Sequence, residues 1–333
     1  MKIESTKSNK IHPFFTINEN NPEKFFILFK KYLDIIKTKN DTYILFMCWN
    51  NYIDNSYLEP NEKFGYSYLN YFSKAVFNFD DNVMLNEIES LNYKSKIAVQ
   101  VHLYYYDLLG EIINKINNIP AKFDLFISII SPKIYNNLKE YICRHSKANY
   151  YEILIVENKG RDILPFINQM KNKFKFYKYL CHIHTKKSKT AISLGFRWRN
   201  YLFENLLGKK YLVSKILNDL EKNEKLGLIF PEAFYLIINQ FYLLTEGTKK
   251  WMEFLISKLF PNYKMGELLD FPAGNMFWAK TAAIFQIFIY DLNEYFPKEN
   301  HKTDGTIMHA IERIWLYIAK YNEFNYKTVL YFF

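Results

Sequence analysis

The sequence predicts an α/β fold in which a mostly parallel, twisted sheet is flanked by helices. Short apolar segments of strand length recur from about residue 96, and amphipathic segments of helix length separate them. Polar residues stand where several of these strands end. Strands that alternate with helices are typical of a parallel sheet, and such sheets bind ligands at the carboxyl ends of their strands.

The segments from residue 96 to 158 alternate regularly. Strand-like KIAVQVHLYY is followed by helix-like YDLLGEIINKINNI, and FDLFISII is followed by PKIYNNLKEYICRH. A third apolar segment, YEILIVEN, completes a β-α-β-α-β order. This order predicts parallel strands that are covered by helices.

The later segments continue the pattern less regularly. YKYLCHIH is a predicted strand, SLGFRWRNYLFENLLG an amphipathic helix that ends at Gly208, and KLGLIFPEAF another strand. A long aromatic helical section follows. In FPAGNMFWAKTAAIFQIF, a Pro-Ala-Gly-Asn turn precedes an apolar strand and a helix. In FPKENHKTDGTIMHAIERIWLYIA, a polar loop with Asp304 and Gly305 leads into the last helix.

The composition fits a globular protein of the cytoplasm. A chain of 333 residues can bury a large core, and its three cysteines lie far apart, which favours neither a disulfide framework nor a zinc knuckle. No secretory signal or apolar segment of roughly 18 residues is present, so a soluble or peripheral protein is expected. The net charge of +10 fits attraction to anionic partners, but an AT-rich coding sequence produces the same composition.

Polar residues follow two of the predicted strands, and Gly160 gives the backbone freedom to turn there. They are Asn158, Arg161 and Asp162 after the third strand, and His182, His184, Lys186 and Lys187 at the end of the next. Arginine offers a fork of donors and lysine a compact charge, so this group suits a pyrophosphate. For the two lysines, an ordinary solvated turn is the alternative.

His182 and His184 alternate along a strand and therefore point to the same face of the sheet. A metal pair is one interpretation, but no third ligand has the right spacing, so no metal site is predicted. The sequence also contains no P-loop, no G-x-G-x-x-G and no G-x-S-x-G motif. This argues against the NTPase, dinucleotide and esterase sites that these motifs build.

Eight segments over roughly residues 96 to 320 together carry a family resemblance. They are VQVHLYYYDLL, FDLFIS, VENKGRDILPFI, YLCHIHTKKS, RWRNYLFENLLG, LGLIFP, AGNMFWAK and DGTIMHAIER. In this order they closely resemble the rhamnan synthesis protein F family of bacterial polysaccharide glycosyltransferases. NKGRDILPF and HTKKS are the most specific of these sequences.

The resemblance implies transfer of a sugar, typically rhamnose from dTDP-rhamnose, onto a growing cell-surface glycan. The strand order is also similar to that of GT-A glycosyltransferases, in which a first strand and a turn with a tyrosine, here Tyr104, meet the nucleotide. There, an Asp-x-Asp motif usually holds a divalent metal on the pyrophosphate, and HIHTKKS stands in its place. We therefore expect Lys186 and Lys187, with Arg161, to supply the positive charge without a cofactor, Mn²⁺ or Mg²⁺ being the alternative.

The implied reaction is inverting, because the donor is β-linked and rhamnans are α-linked. Direct displacement needs a carboxylate that deprotonates the acceptor hydroxyl. Asp304, in the turn before the last helix, is the first candidate, and Glu312 is the second. Asp-Gly before a helix is also an ordinary cap or turn.

Further residues are expected to support the substrates. Asn275, His309 and Arg313 are placed on the acceptor side, and His309 and Arg313 share a helix face because they are four residues apart. A network along this helix without substrate contact is the alternative. For Asp162, an ion pair that orients Arg161 is the alternative to direct substrate binding.

Residues 1–95 are expected to form a partly helical N-terminal extension ahead of a transferase domain at residues 96–333. The segment at 44 to 78, ILFMCWNNYIDNSYLEPNEKFGYSYLNYFSKAVFN, resembles the C-terminal end of WbsX-like polysaccharide enzymes. Asn51 stands where that pattern has its first acid, so no working hydrolase site is expected. We interpret the extension as a remnant in which Trp49 packs in a core or, with Glu59, lines a sugar site.

Two functions remain open at this point. The first is an inverting glycosyltransferase at the cytoplasmic face of the membrane, with a nucleotide sugar donor, a lipid-linked or growing saccharide acceptor and peripheral contact with anionic lipid. The second is a non-catalytic glycan- or nucleotide-binding protein derived from a decayed transferase. The presence of Arg161, Asp162, His184, Lys186 and Asp304 favours the enzyme. No compact basic stripe is present, so no nucleic-acid partner is expected.

Overall fold

The computed structural model describes residues 3–4, 29–30, 45–46, 50–51, 56–57 and 97–330, the last range without 188–191, 238–243, 262, 264, 267–269, 299–301 and 303. The chain divides into two compact units, residues 1–87 with 331–333 and residues 88–330. In the first unit, Ile3–Glu4 pairs with Leu45–Phe46 and Asn50–Asn51 with Ser56–Tyr57, both antiparallel. Trp49 and Glu59 lie outside the described residues, so the helical extension and its remnant site stay predictions.

A seven-stranded mixed sheet forms the centre of the second unit. Its strands are β1 (Ile97–His102), β2 (Phe123–Ile129), β3 (Tyr150–Ile155), β4 (Tyr179–His184), β5 (Leu226–Pro231), β6 (Phe277–Lys280) and β7 (Asn325–Val329). The spatial order is β7-β5-β6-β4-β1-β2-β3. All neighbours are parallel except β6, which is antiparallel to β4 and β5. The predicted mostly parallel α/β sheet is confirmed.

Helices flank this sheet and connect its strands. They are α1 (Leu109–Ile116), α2 (Tyr135–His145), α3 (Ile163–Met170), α4 (Ile192–Leu207), α5 (Lys210–Lys222), α6 (Glu246–Leu259), α7 (Thr281–Ile284), α8 (Gln286–Ile289) and α9 (Ile307–Tyr321). Within the described part of the chain, no helix is long and apolar enough to span a membrane.

Two elements of the second unit were not predicted from the sequence. Helix α5 follows Gly208 almost directly, and no helix was predicted there. Strand β7 has no apolar alternation, because Asn325, Tyr326 and Lys327 are exposed and only Val329 is buried. A pairing with β5 that leaves these side chains in solvent cannot be recognised from hydrophobic periodicity.

The register of the central strands gathers polar side chains on one face. Gln100 lies beside His182, and His102 lies beside both His184 and Ser128. Alternate residues of a strand point to the same face, so the amino-terminal half of this face is apolar, with Ala98 and Leu180, and its carboxyl half is polar. These polar residues are buried, so each requires a hydrogen-bond partner.

Gly160 shapes the connection that brings the next polar side chains to this end of the sheet. Gly160 and Arg161 have φ angles of 68° and 54°. A Cβ on Gly160 would lie 2.4 Å from Leu164 Cβ and 2.7 Å from Phe296 Cδ1. The residue must therefore be glycine both for its backbone conformation and for its close packing. Asp162 follows directly, at the start of α3.

We expect Gly160→Ala to lower the free energy of unfolding by about 3 kcal/mol, since it combines a left-handed backbone with a clash. Gly305→Ala has a similar φ of 77° but open space around the new Cβ, so it should lose only about 1 kcal/mol. Gly266→Ala meets nothing within 4 Å and is the neutral control. Denaturant unfolding measures all three, and equal stabilities of Gly160→Ala and Gly266→Ala would contradict this account.

Candidate active site

Asp162 lies at the centre of a buried polar cluster. Its Oδ2 atom accepts a hydrogen bond from Asn275 Nδ2 at 2.6 Å. The same oxygen lies 3.3 Å from His182 Nε2 and 3.8 Å from His184 Nε2. All four residues are at most 9% exposed. The cluster therefore joins the start of α3, the end of β4 and the loop before β6.

The carboxyl group of Asp162 is held in its charged form. Burial raises its pKa, but the charges and hydrogen bonds of His184, His182 and Asn275 together outweigh burial and bring the pKa well below its usual range. Asp162 contacts this cluster and not Arg161, which was the alternative considered from the sequence. The carboxylate is thus a fixed negative charge beneath the predicted substrate site.

His182 is held in a defined orientation. Its Nδ1 atom lies 2.8 Å from Gln100 Oε1, and the Phe166 ring stacks on it with centroids 4.1 Å apart. Burial lowers the pKa of His182, against the raising effect of Asp162. Because an amide oxygen only accepts, Nδ1 donates to Gln100 Oε1. Nε2 lies 3.3 Å from Asp162 Oδ2 and 3.2 Å from Asn275 Nδ2.

The polar network continues beneath the sheet face. Gln100 Nε2 donates to Ser128 Oγ at 3.2 Å and to Gln169 Oε1 at 3.1 Å. Ser128 Oγ lies 2.9 Å from His102 Nδ1. Sequence reasoning named none of these residues, although a glutamine at an inward position of IAVQVH is a detectable signal. Buried amides of this kind fix the tautomer of a neighbouring histidine.

The loop before β6 is a tight turn that binds β4 and α9. Asn275 N donates to Pro272 O at 2.8 Å, and Gly274 has a φ of 87°, as a type II turn requires. His184 Nε2 lies 2.8 Å from Gly274 O. Trp315 Nε1 donates to Asn275 Oδ1 at 2.7 Å. The predicted Pro-Ala-Gly-Asn turn is present, and Asn275 belongs to the buried cluster.

Lys186 and Lys187 have different surroundings. Lys186 Nζ lies 3.7 Å from the centre of the Trp198 ring, and burial lowers its pKa although Glu312 and Asp162 raise it. Lys187 is exposed and forms an ion pair with Asp107. Only Lys186 therefore faces the buried cluster, and Trp198 is a site residue that sequence reasoning missed.

Arg161 and His309 meet at the rim of the site. Arg161 NH1 lies 3.3 Å from His309 Nε2, and its NH2 atom donates to Lys302 O at 2.5 Å. Thr306 Oγ1 lies 2.7 Å from His309 Nδ1. The left-handed backbone at Arg161 directs its guanidinium toward α9, whose first turn carries His309.

The two candidate bases have opposite electrostatic environments. Asp304 Oδ1 accepts from Thr248 Oγ1 at 2.7 Å. Burial raises the pKa of Asp304, but hydrogen bonds from Thr248 and Gly305 outweigh it and the pKa is lowered. Glu312 Oε1 accepts from Gly274 N at 2.6 Å. Burial raises the pKa of Glu312 in spite of the nearby cations, which is the property of a general base.

The remaining predicted residues line the outer edge. Thr185 Oγ1 accepts from the backbone amides of Tyr104 at 2.9 Å and Tyr105 at 3.0 Å. These two bonds hold the turn after β1 against the end of β4. The Tyr104 ring is partly exposed. Asn158 is exposed.

Over the described ranges, no three His, Cys, Asp or Glu side chains have the arrangement of a metal site.

Comparisons with known proteins agree with the resemblance that the eight segments carry. A family model described as rhamnan synthesis protein F matches residues 9–324. Two proteins named uncharacterized protein WxcX, from two strains of Xanthomonas campestris pv. campestris, are each 28% identical to this chain over 267 residues. The match covers 80% of this chain and 36% of each relative, so the chain spans about a third of their length. The family match begins well before residue 96 and includes every site residue described above.

The buried histidine His102 should make stability depend on pH. Burial lowers the pKa of His102 from 6.5 to about 4. Between these values the unfolded chain binds a proton that the folded protein does not, so the free energy of unfolding falls as pH falls, by about 3 kcal/mol for this group. His102→Asn should show a shallower dependence from pH 7 to 4.5 in denaturant titrations. The exposed His145→Asn is the control, and an unchanged slope in His102→Asn would refute the assignment.

Proposed function

We propose that this chain, which belongs to the rhamnan synthesis protein F family, is a glycosyltransferase that acts in polysaccharide synthesis. The observation that supports this most strongly is the convergence of Lys186, Arg161 and Glu312 beside the buried Asp162 cluster. Lys186 interacts electrostatically with Glu312, Asp162 and Arg161. Two cations and one carboxyl with a raised pKa are the groups that sugar transfer from a nucleotide donor requires.

The proposed donor is a nucleotide sugar, with dTDP-rhamnose as the first candidate and a GT-A-like mode of binding. Its diphosphate would lie against Lys186 and Arg161 at the carboxyl ends of β3 and β4. Both cations are fixed, Lys186 by the Trp198 ring and Arg161 by His309 and the Lys302 carbonyl. We propose that they neutralise the departing diphosphate without a metal ion. Our proposal gives Lys187 no part in this binding, because it is paired with Asp107 at the surface.

The proposed reaction is a direct displacement with inversion. Glu312 takes the proton from an acceptor hydroxyl, the oxygen attacks the anomeric carbon, and the bond to the diphosphate breaks as the nucleotide departs with the electron pair. The raised pKa of Glu312 fits this role better than the lowered pKa of Asp304. Asp304 instead stabilises the turn before α9 through Thr248.

The proposed acceptor is a lipid-linked or growing saccharide, presented at the cytoplasmic face of a membrane. The net charge of +10 would favour peripheral contact with anionic lipid.

Donor binding is tested by titration with dTDP, UDP, GDP and their sugars, in Mn²⁺ and in excess EDTA. We expect one nucleotide to be preferred, with an affinity that EDTA does not change. Lys186→Ala and Arg161→Ala should each weaken binding at least about tenfold, since each removes a charged hydrogen-bond donor. Lys187→Ala is the matched control and should bind as the wild type.

Strict dependence on Mn²⁺ or Mg²⁺ would contradict the metal-independent site. Absence of binding to any nucleotide would contradict the enzyme and favour a non-catalytic glycan-binding protein.

The assignment of the base is tested with Glu312→Gln and Asp304→Asn. Glu312→Gln should lower kcat by about 10² to 10⁴-fold, as the loss of a general base does, and leave nucleotide affinity unchanged. Asp304→Asn should lower the melting temperature and retain most of the turnover. Steady-state kinetics and thermal unfolding give both results, and the reverse pattern would assign the base to Asp304.

A further inference from the structure

Arg313 is a buried cation that forms no ion pair among the described residues, although Glu312 and Asp304 are near enough to feel its charge. The residue is 6% exposed, and NH1 donates to the His309 carbonyl at 3.0 Å. The buried Nε atom has no hydrogen-bond partner among the described residues, and over the same residues no carboxylate lies within ion-pair distance of the guanidinium. The Phe271 ring covers it with a centroid distance of 4.9 Å.

This arrangement costs stability in the free protein. A guanidinium that is removed from water without an ion pair destabilises the folded protein, and a cation–π contact offsets only part of that cost. A guanidinium that retains unused donors is suited to an oxyanion, because its planar fork binds carboxylate or phosphate through two parallel hydrogen bonds. An anion from outside the described residues would complete the hydrogen bonding of this guanidinium.

The position of Arg313 separates it from the proposed donor site. Glu312 is near both cationic groups, since Arg313 and Lys186 each lower its pKa. Lys186 acts together with Arg161 and Asp162. Glu312 accepts a hydrogen bond from Gly274, in the turn that begins just after Phe271. Arg313 packs on the ring of Phe271. With the donor diphosphate at Lys186 and the base at Glu312, Arg313 faces the acceptor.

We propose that Arg313 binds an oxyanion carried by the acceptor saccharide, either a carboxylate of an acidic sugar or a phosphate group. This inference rests on the proposed glycosyl transfer, because that reaction defines which side of Glu312 the acceptor occupies. Arg313 is then a specificity residue, which selects acidic acceptors over neutral ones by leaving its guanidinium unpaired when a neutral sugar binds.

The test is a titration of the full chain with glucuronate, glucose 6-phosphate and glucose. The wild type should bind at least one acidic probe about tenfold or more tightly than glucose. A preference for glucuronate alone identifies a carboxylate, and a preference for glucose 6-phosphate alone identifies a phosphate. Arg313→Met should lose the preference, Arg313→Lys should retain part of it, and Lys320→Met, an exposed cation on the same helix, should retain all of it.

Two further measurements, nucleotide affinity and melting temperature, distinguish this proposal from a donor-site or purely structural role of Arg313. Nucleoside diphosphate affinity should be unchanged within twofold in Arg313→Met, and an equal loss there would place Arg313 in the donor site and overturn the proposal. The melting temperature of Arg313→Met should equal or exceed that of the wild type, since an unpaired buried charge is removed. A fall in melting temperature, a failure to fold or the absence of any acidic preference would also overturn it. The acidic preference is measured without nucleotide, so it stands or falls separately from donor binding.

Discussion

The carboxylate of Asp162 is removed from water, and it remains charged only because three side chains from distant parts of the chain surround it. His182 and His184 come from β4, and Asn275 comes from the turn before β6. An isolated charge in this position would cost several kcal/mol. The sheet, α3 and the turn must therefore assemble together, and this constraint fixes the positions of the groups that are proposed to face the substrate.

Contacts of the buried Asp162 cluster also fix the residues at the rim of the candidate site. Because His184 contacts the Gly274 carbonyl and Gly274 N donates to Glu312, a single residue links the buried cluster to the proposed base. On the other side, Arg161 immediately precedes Asp162 and reaches His309. Lys186 follows β4 and lies over Trp198. The proposed donor and acceptor groups are thus held by rigid elements, as positioning for catalysis requires.

The sequence was sufficient for the fold class and for the end of the sheet at which the candidate site residues gather. Apolar segments that alternate with helices are a strong signal, and polar residues directly after such strands indicate their functional ends. Contacts that join distant segments could not be predicted, because neither the partner of Asp162 nor the difference between Lys186 and Lys187 follows from periodicity. The choice between Asp304 and Glu312 likewise depended on burial and hydrogen bonds, which only the assembled structure shows.

Denaturant unfolding of Asp162→Asn at pH 7 tests the central claim most directly. Asparagine has nearly the same shape as aspartate but no charge, so the substitution removes the electrostatic partner of His182 and His184. We expect the free energy of unfolding to fall by about 3 kcal/mol, as when a buried charge loses its partner. Asp219→Asn, which removes a surface ion pair with Lys327, should change it by less than about 1 kcal/mol. Equal effects of the two substitutions would show that the Asp162 cluster does not hold the site together.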